Sequence, residues 1–216
     1  MKRFFARFFT MIAGLILFAI GIVLTIRANI GYPPWDVFHV GLTKVTGLSL
    51  GTVSIIIGIL IGIVVTVMGE KLGFGSILNV VLIGIFIDII IPLVPVMENQ
   101  ITGTAVLILG LFIVSLGSYF YIKSGFGVGP RDNLMVVLAR KTRLPVGLCR
   151  FIIEFIVTLV GWVLGGMVWF GTVISVIAIG FFIQITFRAF RFDVTTVKHE
   201  TMFDTFAALK KKYRDS

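Results

Sequence analysis

The sequence predicts an all-α integral membrane protein of about six transmembrane helices, built as two inverted three-helix repeats, each with a short re-entrant or interfacial helix. Three observations lead there: a composition too apolar for water, six long apolar runs, and a self-similarity at a constant offset of 96 residues.

Of the 216 residues, 58% are hydrophobic and 13% are charged, and mean hydropathy is +1.10. A soluble domain of this size needs far more charge to cover its surface, so lipid is the expected solvent. The apolar runs are continuous rather than alternating. That selects helices over a barrel, because only these two structures satisfy every backbone group in lipid. Cys149 is the single cysteine, which rules out a disulfide within the chain. His39 and His199 lie far apart and give no metal spacing. No phosphate-binding glycine loop, HExxH stretch or Ser-His-Asp pattern is present, so neither a cofactor nor an enzymatic activity is expected.

A span needs about 20 apolar residues. The runs fall at 8–27, 50–69, 73–95, 102–122, 146–165 and 169–188. The first follows Lys2, Arg3 and Arg7 and is too long for the apolar core of a signal peptide. With the N-terminus in the cytoplasm, all of the 19 Lys and Arg residues except Arg27 and Lys44 fall on or near the cytoplasmic side. Both termini are therefore placed there, and the net charge of +9 is a topology signal rather than a nucleic-acid surface. The predicted organisation is one transmembrane domain over 1–188, with repeats at about 8–95 and 102–188, and a basic cytoplasmic tail at 189–216. In that tail Met202, Phe203, Phe206, Leu209 and Tyr213 mark one face of an amphipathic helix, a possible docking surface.

The repeat runs without a gap from 14–88 onto 110–184. Gly14 matches Gly110, Gly21 matches Gly117 and Gly31 matches Gly127. Further along, Pro34 matches Pro130, Asp36 matches Asp132, Gly51 matches Gly147, Gly69 matches Gly165 and Gly84 matches Gly180. Apolar matches are cheap in a membrane chain, but shared Gly, Pro and Asp each answer a specific backbone or charge need. Three crossings per copy turn the second copy over, which places a pseudo-two-fold axis in the membrane plane. In secondary transporters with this design the site lies between the halves.

The segments 31–47 and 127–143 are too short to cross. Each has a glycine-containing turn, then proline, then aspartate two residues later. Proline suits the first turn of a helix, and an aspartate there meets the positive end of the helix dipole. Short helices are predicted from Pro34 and Pro130. Trp35, Phe38, Leu42 and Val45 fall on one face of the first, and Leu134, Val137 and Leu138 are the apolar residues of the second.

The candidate substrate or ion residues are Asp36, Asp132, Glu154, Trp35, Arg131 and Arg150. Each also has a plainer role. The aspartates can cap helices, Trp35 can anchor at headgroups, Arg131 can be a topology charge, and His39 can be an interfacial polar residue. Glu154 falls near the middle of its span, four residues after Arg150 and on the same helix face. Pairing neutralises both; alternatively the carboxylate serves a proton or cation, since an intramembrane carboxylate is costly and usually functional. Asp88 with its counterpart Gln184, and Asn79 with Ser175, can be interhelix hydrogen bonds only.

"GYPPWDVFHVGLTKVTGLSLGTVSIIIGI", "GEKLGFGSILNVVLIGIFIDII" and "GFGVGPRDNLMVVLARKTRLPVG" resemble the YczE/YyaS/YitT family of bacterial membrane proteins. The resemblance covers nearly the whole chain except the tail. The first copy departs slightly, with Tyr32-Pro33 where a glycine-containing pair is expected before Pro34. The resemblance implies a multi-pass protein of the bacterial cell (inner) membrane and no particular substrate.

Two functions from different classes fit. One is a small-molecule transporter with its site between the repeats, driven by an ion gradient or a partner. The other is an accessory or sensory membrane subunit that does not transport. The expected partners are the lipid bilayer, an unknown small molecule or ion, and a second copy or another membrane protein. A polar cavity between the two aspartate-bearing segments favours transport; a solid apolar centre favours the accessory reading.

Overall fold

The computed structural model describes residues 2–70 and 72–192. Helix α1 is Lys2–Arg27, α2 Pro34–Thr46, α3 Leu50–Val67 and α4 Phe74–Ile90; α5 is Gln100–Lys123, α6 Pro130–Thr142, α7 Val146–Val163 and α8 Phe170–Ala189. Six of them, all but α2 and α6, contain segments long and apolar enough to cross a membrane. The protein is thus an all-helical membrane protein among the described residues. The amphipathic helix expected in the tail lies outside those residues.

Local chemistry sets the boundaries. Pro34 and Pro130 open α2 and α6 as expected, each with an aspartate in the first turn. The Ser49 side chain accepts the Thr52 N–H at the start of α3, and Asn99 does the same for Ile101 at the start of α5. The predicted span 73–95 is shorter as an α-helix. Pro92 has no N–H to continue the ladder, and the chain tightens into a 3-10 turn at Ile91–Leu93.

The offset of 96 governs the backbone. α2 and α3 reappear with the same lengths, 13 and 18 residues, as α6 and α7. Positive φ angles recur in pairs: Asn29 with Gly125, Gly31 with Gly127, Gly47 with Arg143, and Gly69 with Gly165. At Gly31 (φ +106) and Gly127 (φ +122) both conformation and space require glycine, because a Cβ would press on Thr172 and Trp169 in one copy and on Ser76 and Gly73 in the other. The contacts are reciprocal too. Gly75 N–H donates to the Phe126 carbonyl at 2.8 Å, and its counterpart Gly171 N–H donates to the Ile30 carbonyl at 2.8 Å.

The helices form two layers. In the first, α1 packs along α5, α4 lies on α1 and α8 lies on α5. In the second, α2 packs on α7 and α3 on α6, closed by α2–α3 and α6–α7 contacts. The α1–α5 seam is made by glycines. A Cβ on Gly14 would lie 3.0 Å from the Gly117 carbonyl, and one on Gly21 would lie 2.8 Å from the Gly110 carbonyl. As one index rises the other falls, so α1 and α5 run antiparallel. Without a hydrophobic drive between helices in lipid, such close backbone packing is what holds them together.

The buried face of α2 differs from the apolar stripe expected for it. Pro34, Asp36, Val37, His39 and Gly41 are buried, whereas Val45 is 64% exposed. Gly41 presses against the Gly161 carbonyl of α7, and this glycine contact, not the large side chains, fixes the face. On α6, Val137 is buried together with Met135 and Ala139. Val137 meets Ile61 and Val65 of α3 in a small apolar cluster.

Candidate functional site

A cavity of about 400 Å³ lies between the two layers. Phe18, Ile22, Asn79, Ser118 and Tyr121 line it from the first layer. Trp35, Ser54, Gly58, Arg131, Asp132, Arg150 and Glu154 line it from the second. Five of the six sequence candidates therefore meet in one place. The sixth, Asp36, is buried just behind the wall at 5% exposure.

Arg131 organises the centre. Its guanidinium stacks on the Trp35 ring at 4.8 Å from the centroid. Its Nη2 donates to His39 Nε2 at 3.2 Å. A guanidinium has no acceptor, so this bond requires His39 Nε2 to be unprotonated. Arg131 also acts electrostatically on both Asp36 and Asp132. His39 is 1% exposed. The Trp35 ring lies against Arg131, and among the described residues its Nε1 is shielded from solvent with no hydrogen-bond acceptor.

Asp36 sits in α2, which is too short to span. Burial pushes its carboxyl up to about 7, with the positive charge of Arg131 pulling the other way. Asp132 faces the cavity and accepts a hydrogen bond from Tyr121 Oη at 3.1 Å, linking the two layers. Arg150 Nε donates to Glu154 Oε1 at 2.8 Å, the i,i+4 pair expected from the spacing. Asn79 reaches the same region: a Cβ on Gly129 would stand 3.4 Å from Asn79 Oδ1 and 3.6 Å from Asp132 Oδ2.

Two features tie this cavity to the repeat. Trp35 and Arg131 are counterparts at the offset of 96, and their side chains are in contact. Ser54 and Gly58 are the counterparts of Arg150 and Glu154, and all four line the same space. One copy supplies the charged pair, and the other supplies small residues that leave room for it. Tyr121 was missed in the sequence. Its counterpart is Thr25, so nothing in the repeat marks it, and only the fold brings it to Asp132.

Comparison with known proteins places the chain among membrane proteins. The model of a family of unknown function, DUF6198, matches residues 5–188. YczE, an uncharacterized membrane protein of Bacillus subtilis (strain 168), is 37% identical over 174 residues, 80% of this chain and 81% of the relative. An uncharacterized protein of Haemophilus influenzae (strain ATCC 51907 / DSM 11121 / KW20 / Rd) is 29% identical over 175 residues, 79% of this chain and 80% of its own length. YyaS of Bacillus subtilis (strain 168) is 24% identical over 170 residues, 76% of this chain and 83% of the relative. No solved structure matches the chain.

Proposed function

The chain belongs to the membrane protein family DUF6198, and from this premise we propose that it is a carrier, not an enzyme, moving a small solute through a site between two inverted repeats. The observation that bears most on this reading is the Trp35–Arg131 contact, which joins residues of the two copies at a cavity whose mainly apolar walls carry charged groups. The antiparallel α1–α5 seam and the reciprocal contacts of Gly75 and Gly171 support an inverted relation. On this reading α2 and α6 are re-entrant helices entering from opposite faces. The charge distribution supports both termini in the cytoplasm, in the bacterial inner membrane.

The cavity is in the range of small-ligand sites, roughly 300–1,000 Å³. Its walls combine both signs of charge with aliphatic side chains and the Trp35 ring, which suits a solute with an apolar body and a charged or zwitterionic head. The partnerless Trp35 Nε1–H offers that head a donor. Glu154 is the candidate for coupling to protons or cations, because it lines the cavity and its ion-pair partner Arg150 is partly exposed.

The test is flux into liposomes holding the purified protein, challenged with a panel of small zwitterions and organic cations. Saturable uptake of at least one solute is expected. Glu154→Gln should abolish uptake against a gradient while solute exchange persists. Failure of every solute to enter faster than into empty liposomes would contradict the carrier reading.

A further inference from the structure

The two copies differ where each copy's third and fourth helices meet. In the first copy α3 and α4 are clasped. The backbones of Gly51 and Gly84 touch, and Asp88 closes the pair: its Oδ2 accepts from Ser49 Oγ at 2.5 Å and its Oδ1 accepts from Gly51 N–H at 2.7 Å. In the second copy α7 and α8 barely touch. Among the described residues, no atom beyond the local helix backbone lies within 4 Å of where a Cβ would stand on Gly147 or Gly180, the counterparts of Gly51 and Gly84. The cavity follows the difference. Ile183 lines it, whereas its counterpart Ile87 is sealed in the core at 1% exposure.

We infer that these two helix pairs are the two gates of one cavity, α3–α4 shut and α7–α8 open, and that the second layer rocks on the first to exchange them. The inference rests on the carrier reading for its purpose and on the fold for its geometry. The contacts within each layer recur in both copies: α4 lies on α1 as α8 lies on α5, and α2 meets α7 as α6 meets α3. Between the layers the main helix packing is the α3–α4 clasp. Closing α7 on α8 as α3 closes on α4 would bring Gly147 against Gly180. That gives these glycines, which are less favourable than alanine in a helix, a packing role that the open arrangement does not. Packed layers of this kind switch between discrete arrangements rather than deforming continuously.

The sequence also sets which gate is shut. At the α7–α8 gate Gln184 stands in place of Asp88, and Pro145 in place of Ser49. A neutral amide without the serine hydroxyl makes a weaker clasp than a carboxylate holding two donors. With both termini in the cytoplasm, as proposed, the Asp88 clasp is the outer gate and the cavity opens inward.

The experiment uses the full chain in liposomes with Cys149→Ala as background and adds the pair Pro145→Cys and Gln184→Cys, the counterparts of Ser49 and Asp88. A short thiol-to-thiol linker reports closure of the α7–α8 gate. Linking is expected to be slow in this background and several-fold faster when Asp88→Asn loosens the other gate. Ser49→Ala, which removes one of the two donors, should give a smaller increase and serves if Asp88→Asn does not fold. Linking unchanged by either variant overturns the inference, even in a protein that moves solute. Faster linking in a protein that moves no solute keeps the two gates and removes the carrier reading.

Discussion

Gly117→Leu should leave almost no folded protein. A Cβ at Gly117 would stand 2.6 Å from the Phe18 backbone nitrogen and 2.8 Å from the Gly14 carbonyl. These are backbone atoms of another helix, so no rotamer change can relieve the clash, and α1 and α5 must part. Both outer helices of the first layer rest on this pair, so the loss reaches the whole layer. Overpacking a well-fitted core costs about 1–3 kcal/mol; here backbone meets backbone, and the cost should be at or above about 3 kcal/mol. The measurement is the yield and melting temperature of monodisperse protein in detergent. Gly180→Leu is the control, because nothing lies within 4 Å of its Cβ position, and it should fold as the parent does. A Gly117→Leu protein melting with the parent would mean that the helices are not in backbone contact.

Arg131→Ala should be nearly as damaging, and its effect should depend on pH. Removing one member of a buried charge group costs about 3–5 kcal/mol when the partner stays charged. Asp36 can escape that cost by taking up a proton. Burial already holds its carboxyl at about 7 with Arg131 in place, above the ordinary 3.8. A raised carboxyl favours the folded state below 3.8, and that contribution is lost as pH rises towards 7. Without Arg131 the carboxyl goes higher still. Below 7 Asp36 is protonated in both proteins, so the lost Trp35 stacking, His39 bond and attraction to Asp132 separate them. As pH rises above 7 the parent ionises Asp36 beside its cation and the variant cannot. The gap in stability between parent and variant, read as their difference in melting temperature, should therefore widen from pH 6 to pH 9, by roughly 1.4 kcal/mol per pH unit at its steepest. Arg131→Lys keeps the charge but loses the planar fork and the stacking, so it should fall between them. A gap independent of pH would show that Arg131 holds the site by packing alone.

Much of this fold is legible in one sequence because helix boundaries answer to local chemistry. Pro34 and Pro130 mark helix starts wherever the chain goes next, and the offset of 96 is visible without any contact being known. Orientation around each helix is harder to read. In lipid the outside of a helix is as apolar as its packed side, so a stripe such as Trp35–Phe38–Leu42–Val45 does not identify the buried face. Val45 proved exposed and Gly41 buried, because small residues mark close packing in a membrane. The candidate site was legible as a set of residues but not as an arrangement. Arg131 and Trp35 are conspicuous individually, yet their stacking follows from the meeting of two helix starts that lie 96 positions apart. Tyr121 and His39 entered the site through long-range geometry that local spacing does not encode.

The proposed site between the repeats and the proposed pair of gates both require that the two copies be inverted. Impermeant thiol labelling tests this directly. Thr46 and Thr142 are counterparts, both exposed, each ending its short helix. In a Cys149→Ala background, single Thr46→Cys and Thr142→Cys proteins are labelled in sealed right-side-out and inside-out vesicles. The account predicts opposite faces, Thr46→Cys from outside and Thr142→Cys from the cytoplasm; labelling of both from the same face would contradict it.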